Sequence, residues 1–370
     1  MSISSDRPDT PPGHRPAVAT ACGKLILLGE HSVVYGEPAL AVPLPQLRLS
    51  VVLSTSPGGL ASIVGAGLDQ KPGRVEEFAM DDLRETSVFP VFGPGEPEGE
   101  PPLLSESRTM ALDGPPPLRI DVGEDAPTSA ESEIARALAA AARELSLPVP
   151  LPLRLAVRGG GLCSGMGTSA ALGAALARGL LLFHGRQPGT EEVLRAAGAV
   201  EALFHTDPSG VDHTVSVNER PVWFIKGKAP RLLGKLPELE FAVLPRQSEE
   251  PTSTVVRGVR DRLAGDPGLV RVIADLGRWT RDGRIAWAAG NLQGLAEAMR
   301  AAQASLERIG VVNELDREGI AAAMDAGALA AKITGAGQGG TLLALVDSSC
   351  ADAVLENWGP RAFLLRVGGD

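Results

Sequence analysis

The sequence predicts a mixed α/β chain built as two domains. Short apolar runs dominate residues 17–54, a glycine-rich stretch opens directly into an alanine-rich helix near residue 168, and the last third alternates helical patterns with short strands around a second glycine cluster. At 370 residues the chain exceeds what one hydrophobic core usually holds.

After a lead-in over residues 1–16 that reads as flexible, Ala17–Ala21 and Leu25–Leu28 read as strands on either side of Cys22-Gly23-Lys24. Gly29-Glu30-His31, Ser32–Tyr35 and a Gly36-Glu37-Pro38 turn precede Ala39–Leu44 and Gln46–Ser54, two further strands. Residues 56–127 are rich in Pro and Gly and lack periodicity, which reads as a surface insertion. Thr128-Ser129-Ala130-Glu131 fits a capping box, and Ile134, Leu138 and Leu145 share one face of the helix that follows, which ends near Leu147-Pro148. Leu151–Val157 is a strand leading into Arg158–Ala171, and Ser169–Phe183 is an apolar helix that must be buried. Thr190–His205 is another helix, broken by Pro208-Ser209-Gly210. Pro221–Ile225 reads as a strand and Gly227–Pro237 as the connection between domains. A strand at Phe241–Leu244 is followed by helices over 253–263, 269–280, 285–309 and 315–330. Strands then follow at 331–334, 341–346 and 362–367.

The net charge of −10 and the 4% aromatic content argue against a nucleic-acid surface. Three widely spaced cysteines, Cys22, Cys163 and Cys350, suit a reducing compartment and form no zinc pattern. No apolar run is long enough to span a membrane, and the N-terminus has no secretory h-region, so the expectation is a cytoplasmic protein.

Arg158–Ala171, RGGGLCSGMGTSAA, places five glycines before a helix start. Such a turn brings backbone N–H groups close to a ligand and suits phosphate. No GxxxxGK[ST] occurs, which excludes the P-loop class. Gly335-Ala336-Gly337-Gln338-Gly339-Gly340 satisfies GxGxxG but leads into a strand, with no acidic residue about twenty positions later, so it is not a dinucleotide fingerprint. Glu201 and Asp212 are carboxylates brought back toward each other by the helix stop between them. Taken singly, these acids, Lys24, His31, His205 and His213 all fit ordinary surface or core positions.

Together the stretches resemble the GHMP kinases. Ala21–Gly36 with Ala39-Leu40-Ala41 is similar to the first motif of the mevalonate kinases within that family, Cys163–Ala171 to the second GHMP motif, and Lys332–Gly340 to the third. Phe204-His205 with Pro208–Asp212, and the eleven-residue spacing from Glu201 to Asp212, resemble a segment of the mevalonate kinases. The resemblance implies a ribosomal-protein-S5-like N-terminal domain over 17–228 and a ferredoxin-like C-terminal domain over 229–370, with the site between them. It implies transfer of phosphate from ATP to the C5 hydroxyl of mevalonate. Asp212 would be the base and Lys24 its partner. Ser169 and Glu201 would be Mg²⁺ ligands, as suits hard oxygen donors. Gly161, Ser164, Gly165, Met166, Gly167, Thr168, Ser169 and Ala170 would hold ATP, and Glu30, His31, Thr252 and Ala336 would contact the substrate. The resemblance admits a homodimer and implies no nucleic-acid or membrane partner. Another GHMP small-molecule kinase, such as a phosphomevalonate or sugar kinase, and a non-catalytic ligand sensor are the alternatives. The chain departs from the pattern at Cys22 (usually Pro), Cys163 (often Gly), Met166 (Leu), Thr168 (Ser), Thr206-Asp207 (Gly-Asn), His213 (Asn) and Gln338 (Gly). Gln at 338 resists positive φ, which bears on the shape of the third loop.

Overall fold

The computed structural model describes residues 16–54, 108–110, 118–121, 130–149, 153–159, 165–205, 208–248 and 250–369. The described strands form two sheets. The first holds β1 (Ala17–Leu28), β2 (Ala39–Ser54), β3 (Arg108–Met110), β4 (Leu118–Asp121), β5 (Leu153–Gly159), β6 (Val222–Phe224) and β7 (Arg231–Leu232), in the order β3-β4-β5-β2-β6-β7 with β1 also on β2. The second holds β8 (Leu239–Leu244), β9 (Ala330–Ile333), β10 (Leu342–Val346) and β11 (Phe363–Val367), antiparallel in the order β11-β8-β10-β9.

The spine of the first sheet is β2. It pairs with β1 along its length, and with β5 through Leu49–Ser54 and β6 through Ala39–Ala41. Pro43 and Pro45, which cannot donate to a ladder, fall where pairing to β5 and β6 is interrupted. The register with β1 also slips there: Cys22 faces Arg48, whereas Gly23 faces Leu44. The two strands expected over 17–28 are therefore one, because the polar triplet Cys22-Gly23-Lys24 sits at a bulge and not at a turn. The two strands expected over 39–54 are likewise one.

Helices α1 (Ala130–Glu144), α2 (Thr168–Phe183) and α4 (Val211–Asn218) pack on this sheet, and α3 (Thr190–Phe204) packs on those three helices. α2 is apolar on nearly every side and almost wholly buried, as its composition requires. The second sheet carries α7 (Leu292–Arg308) and α8 (Glu314–Asp325) against β9, and α9 (Ala351–Trp358) against β8. α5 (Thr252–Gly265) and α6 (Pro267–Ala288) complete the second half. α6 reaches back to β1 and β2, allowed by small residues: a Cβ on Gly283 would lie 2.3 Å from Leu28 Cδ1.

Helix boundaries differ from expectation in two places. The break expected between 280 and 285 falls instead at 289–291. There Gly290 takes φ 67° and the Asn291 side chain accepts from the N–H of Gly294 at 3.0 Å. The helix expected over 315–330 ends at Asp325, and Gly327 at φ 96° turns the chain into β9. The eight-residue α9 and the two-residue β7 were not expected from the sequence and are short elements. Of the 56–127 stretch, β3 and β4 are described. The capping residues Thr128 and Ser129 lie outside the described residues, although the helix they precede is present as α1. Among the described residues, no helix is long and apolar enough to cross a membrane.

Candidate active site

Lys24 is the hub. It follows the β1 bulge, its side chain is 2% exposed, and its backbone N–H donates to Met166 O at 2.8 Å. Its Nζ donates to Gly165 O at 3.1 Å and meets Asp212 Oδ2 at 3.0 Å. Gly167, at φ 74°, passes directly over the lysine: a Cβ there would lie 2.9 Å from Lys24 Cγ. No other residue type fits that crossing without displacing the lysine. Gly167 is also the N-cap of α2 and no side chain caps the helix. The first-turn N–H groups around Thr168, Ser169 and Ala170 therefore form the positive end of a buried helix, a ready anion site. Gly161 and Ser164 lie outside the described residues, as do Cys163, Thr206 and Asp207.

Asp212 is in the first turn of α4, after the N-cap Gly210 at φ 91°. Its side chain is 20% exposed, so it faces Lys24 on one side and open space on the other. The far end of α4 is bolted down. Glu219, at φ 50°, receives Arg48 Nη2 and Arg178 Nη1 at 2.8 Å each, and Arg178 also donates to Val217 O and Thr20 O. Nothing local in the sequence pointed to this clamp, whose members are far apart along the chain.

Glu201 is 2% exposed and accepts a hydrogen bond on Oε2 from Nδ1 of His213. Ser169 Oγ lies 3.4 Å from His205 Nε2. Serine hydroxyl and carboxylate are hard oxygen donors that fit a divalent cation such as Mg²⁺ better than a soft metal. Among the described residues, no group of three or more His, Cys, Asp or Glu could hold a metal by itself. A cation here would need further oxygens from a nucleotide.

The second half closes the site through its glycine loop. Gly335, at φ 82°, packs on the first loop so closely that a Cβ would lie 2.9 Å from Gly165 Cα. Thr334 Oγ1 donates to Ile26 O at 2.9 Å and accepts from Ile26 N at 3.2 Å, stitching β9 to β1. His31, at φ 58°, donates from Nε2 to Ala336 O at 3.0 Å. Its burial among apolar groups lowers its pKa to about 4. Glu30 and Lys332 are ion-paired with both side chains fully buried, and Lys332 Nζ also donates to Ile333 O. Burial pushes Glu30 up and Lys332 down from their ordinary values. Gln338 does take positive φ, 57°, held by its N–H on Val311 O and its side-chain amide on Gly310 O. The loop is anchored by Asp316, which accepts from Gly339 N and pairs with Arg246, itself on Gly340 O. Thr252 opens α5 and, among the described residues, no hydrogen bond joins it to the residues above. Reasoning from sequence missed Thr334, Arg246 and Asp316. The Asn313-x-x-Asp316 capping pattern and a lysine inside the apolar run Ala330–Ile333 were the available signals.

Two stretches of the chain match known family models. Residues 132–220 match the GHMP kinases N terminal domain, and residues 285–363 match the GHMP kinases C terminal domain. The chain has the two-domain, mixed helix-and-sheet fold of the GHMP kinases. Among its relatives, the mevalonate kinase of Thermococcus sibiricus is 27% identical over 334 residues, covering 89% of this chain and 88% of that one. The structure of L. major mevalonate kinase in complex with R-mevalonate superposes with a TM-score of 0.69 at 21% identity, covering 94% of each chain. Streptococcus pneumoniae phosphomevalonate kinase superposes with a TM-score of 0.65 at 15% identity, covering 95% of this chain and 99% of that one. At those identities the structural likeness speaks to the fold.

Proposed function

We propose that this protein phosphorylates the C5 hydroxyl of mevalonate, with ATP as donor and Mg²⁺ as the divalent ion. The observation that carries the reading is the Asp212–Lys24 pair at 3.0 Å, seated beside the Gly165–Gly167 turn and the open end of α2. A kinase needs a carboxylate to orient or deprotonate the attacking hydroxyl, a cation beside it, and backbone donors for the phosphates. Asp212 supplies the first from the exposed side of its pair. Lys24, buried and fixed by Gly165 O, pairs with Asp212 and faces the site of transfer. The N–H groups of Gly165–Ala170 cradle the β- and γ-phosphates, with Gly161 and Ser164 completing the nucleotide site. Ser169 and Glu201 would hold Mg²⁺, which when bound neutralises charge on the phosphates. Glu30, His31 and Ala336, joined across the two sheets, and Thr252 at the start of α5 form the acceptor side.

The choice of mevalonate is supported by the Gly29–Gly36 motif and by the mevalonate kinases among the relatives. The fold does not choose, since a phosphomevalonate kinase superposes nearly as well. The reducing cysteine pattern supports a cytoplasmic setting. The test is ADP release with mevalonate, phosphomevalonate, homoserine and galactose as acceptors. Turnover with mevalonate in clear excess over the others is expected. Silence with mevalonate would overturn the substrate, and nucleotide binding without turnover on any acceptor would favour a ligand sensor.

A further inference from the structure

We propose that His213 is the positioning residue for the divalent cation: by occupying Oε2 of Glu201 it locks the carboxylate so that the other oxygen is presented to the metal. The inference rests on reading Glu201 and Ser169 as the cation's ligands.

A glutamate has three rotatable bonds, and fixing such a side chain costs rotamer freedom. Glu201 is held by His213 before any ligand arrives. A carboxylate only accepts, so Nδ1 of His213 carries the hydrogen. The imidazole in turn packs against the backbone of α3 and the turn at Gly210. A Cβ on Gly198 would lie 3.4 Å from His213 Nε2, and one on Gly210 would lie 3.7 Å from His213 Cε1. Gly198 sits inside α3, three residues before Glu201, so the ring packs on the helix that carries the glutamate. His213 is also the neighbour of Asp212 on α4, the helix clamped at Glu219. The base and the residue that aims the metal ligand therefore ride on one rigid element. Hydrogen-bond partners behind metal ligands set their orientation, and their loss typically costs about 10–100-fold in metal affinity.

The experiment measures, by calorimetry without acceptor substrate, how much Mg²⁺ tightens binding of a non-hydrolysable ATP analogue relative to EDTA. His213→Ala should reduce that metal-dependent gain by about 10–100-fold while leaving metal-free nucleotide affinity unchanged. His213→Asn, whose amide nitrogen reaches the place of Nδ1, should restore most of it, whereas His213→Gln, one bond longer, should not. Equal gains in the wild type and all folded variants would overturn the inference, even if turnover fell. If His213→Ala does not fold, the Asn–Gln contrast decides by the same criterion. A wild type with no metal-dependent gain would overturn both this inference and the metal reading of Glu201. Failure of mevalonate as acceptor would touch only the substrate and leave this result standing.

Discussion

Lys332 and Glu30 form an ion pair between the two sheets with neither side chain exposed, 302 residues apart in the chain. Lys332 lies in β9 and Glu30 directly after β1, so the pair joins the edges that enclose the site. Removing one partner strands a buried charge. Lys332→Met or Glu30→Gln should each destabilise the protein by about 3–5 kcal/mol in urea unfolding, and the double variant should recover much of that loss. Additive losses in the double variant would show that the pair is not coupled.

Asp212 and Lys24 are expected to act in the chemical step more than in binding. Asp212→Asn keeps the shape and removes the proposed base, and should lower kcat by about 10²–10⁴-fold with nucleotide affinity little changed. Steady-state kinetics with a separate nucleotide titration will tell. A normal kcat would remove Asp212 from the chemistry.

His31 makes stability depend on pH. Its folded-state pKa of about 4 lies below the ordinary 6.5 because burial disfavours the charged ring. Between those values the unfolded chain binds a proton that the folded chain does not. The stability contribution is therefore fully present above pH 6.5 and is lost as pH falls toward 4, by at most about 3 kcal/mol. His31→Asn, which tolerates the positive φ, should flatten this part of the profile in denaturant titrations from pH 7 to 4.5. A slope identical to the wild type would exclude His31 as its source.

Gly335 tests the contact between the two glycine loops. Gly335→Ala adds a methyl 2.9 Å from Gly165 Cα at a φ of 82° and must push the loops apart. Displacing a positioned phosphate by about an ångström should cost about 10²-fold in kcat/KM for ATP. Gly185→Ala is the control: its φ is 70° and nothing lies within 4 Å, so it pays only the backbone strain of about 1–2 kcal/mol and leaves kinetics unchanged. Equal kinetic effects from the two would mean that loop contact is not what matters.

Much of this site was legible because its chemistry is written locally. A glycine turn before an uncapped helix, Gly-Glu-His after a strand, and an acid just beyond a helix stop each need only neighbouring residues. The structure brings Gly165, Met166, Gly167 and Asp212 against Lys24, and His31 against Ala336 of the other glycine loop. The bulge at Cys22/Gly23 was not legible, because a register slip depends on the partner strand and Arg48 and Leu44 are distant in sequence. Nor was the positive φ of Gln338, which is stabilised by Val311 and Gly310 on another element.

The sequence by itself determined the alternation of strands and helices and the glycine turn that opens into the buried helix α2. These follow from side-chain periodicity and from backbone preferences acting over a few residues. Tertiary structure alone decided which groups share a partner: Lys332 with Glu30, Thr334 with β1, Gly335 on Gly165, and His213 on Glu201. Burial and long-range electrostatics set those pairings. Both depend on what surrounds a group in space, which leaves no period in the chain.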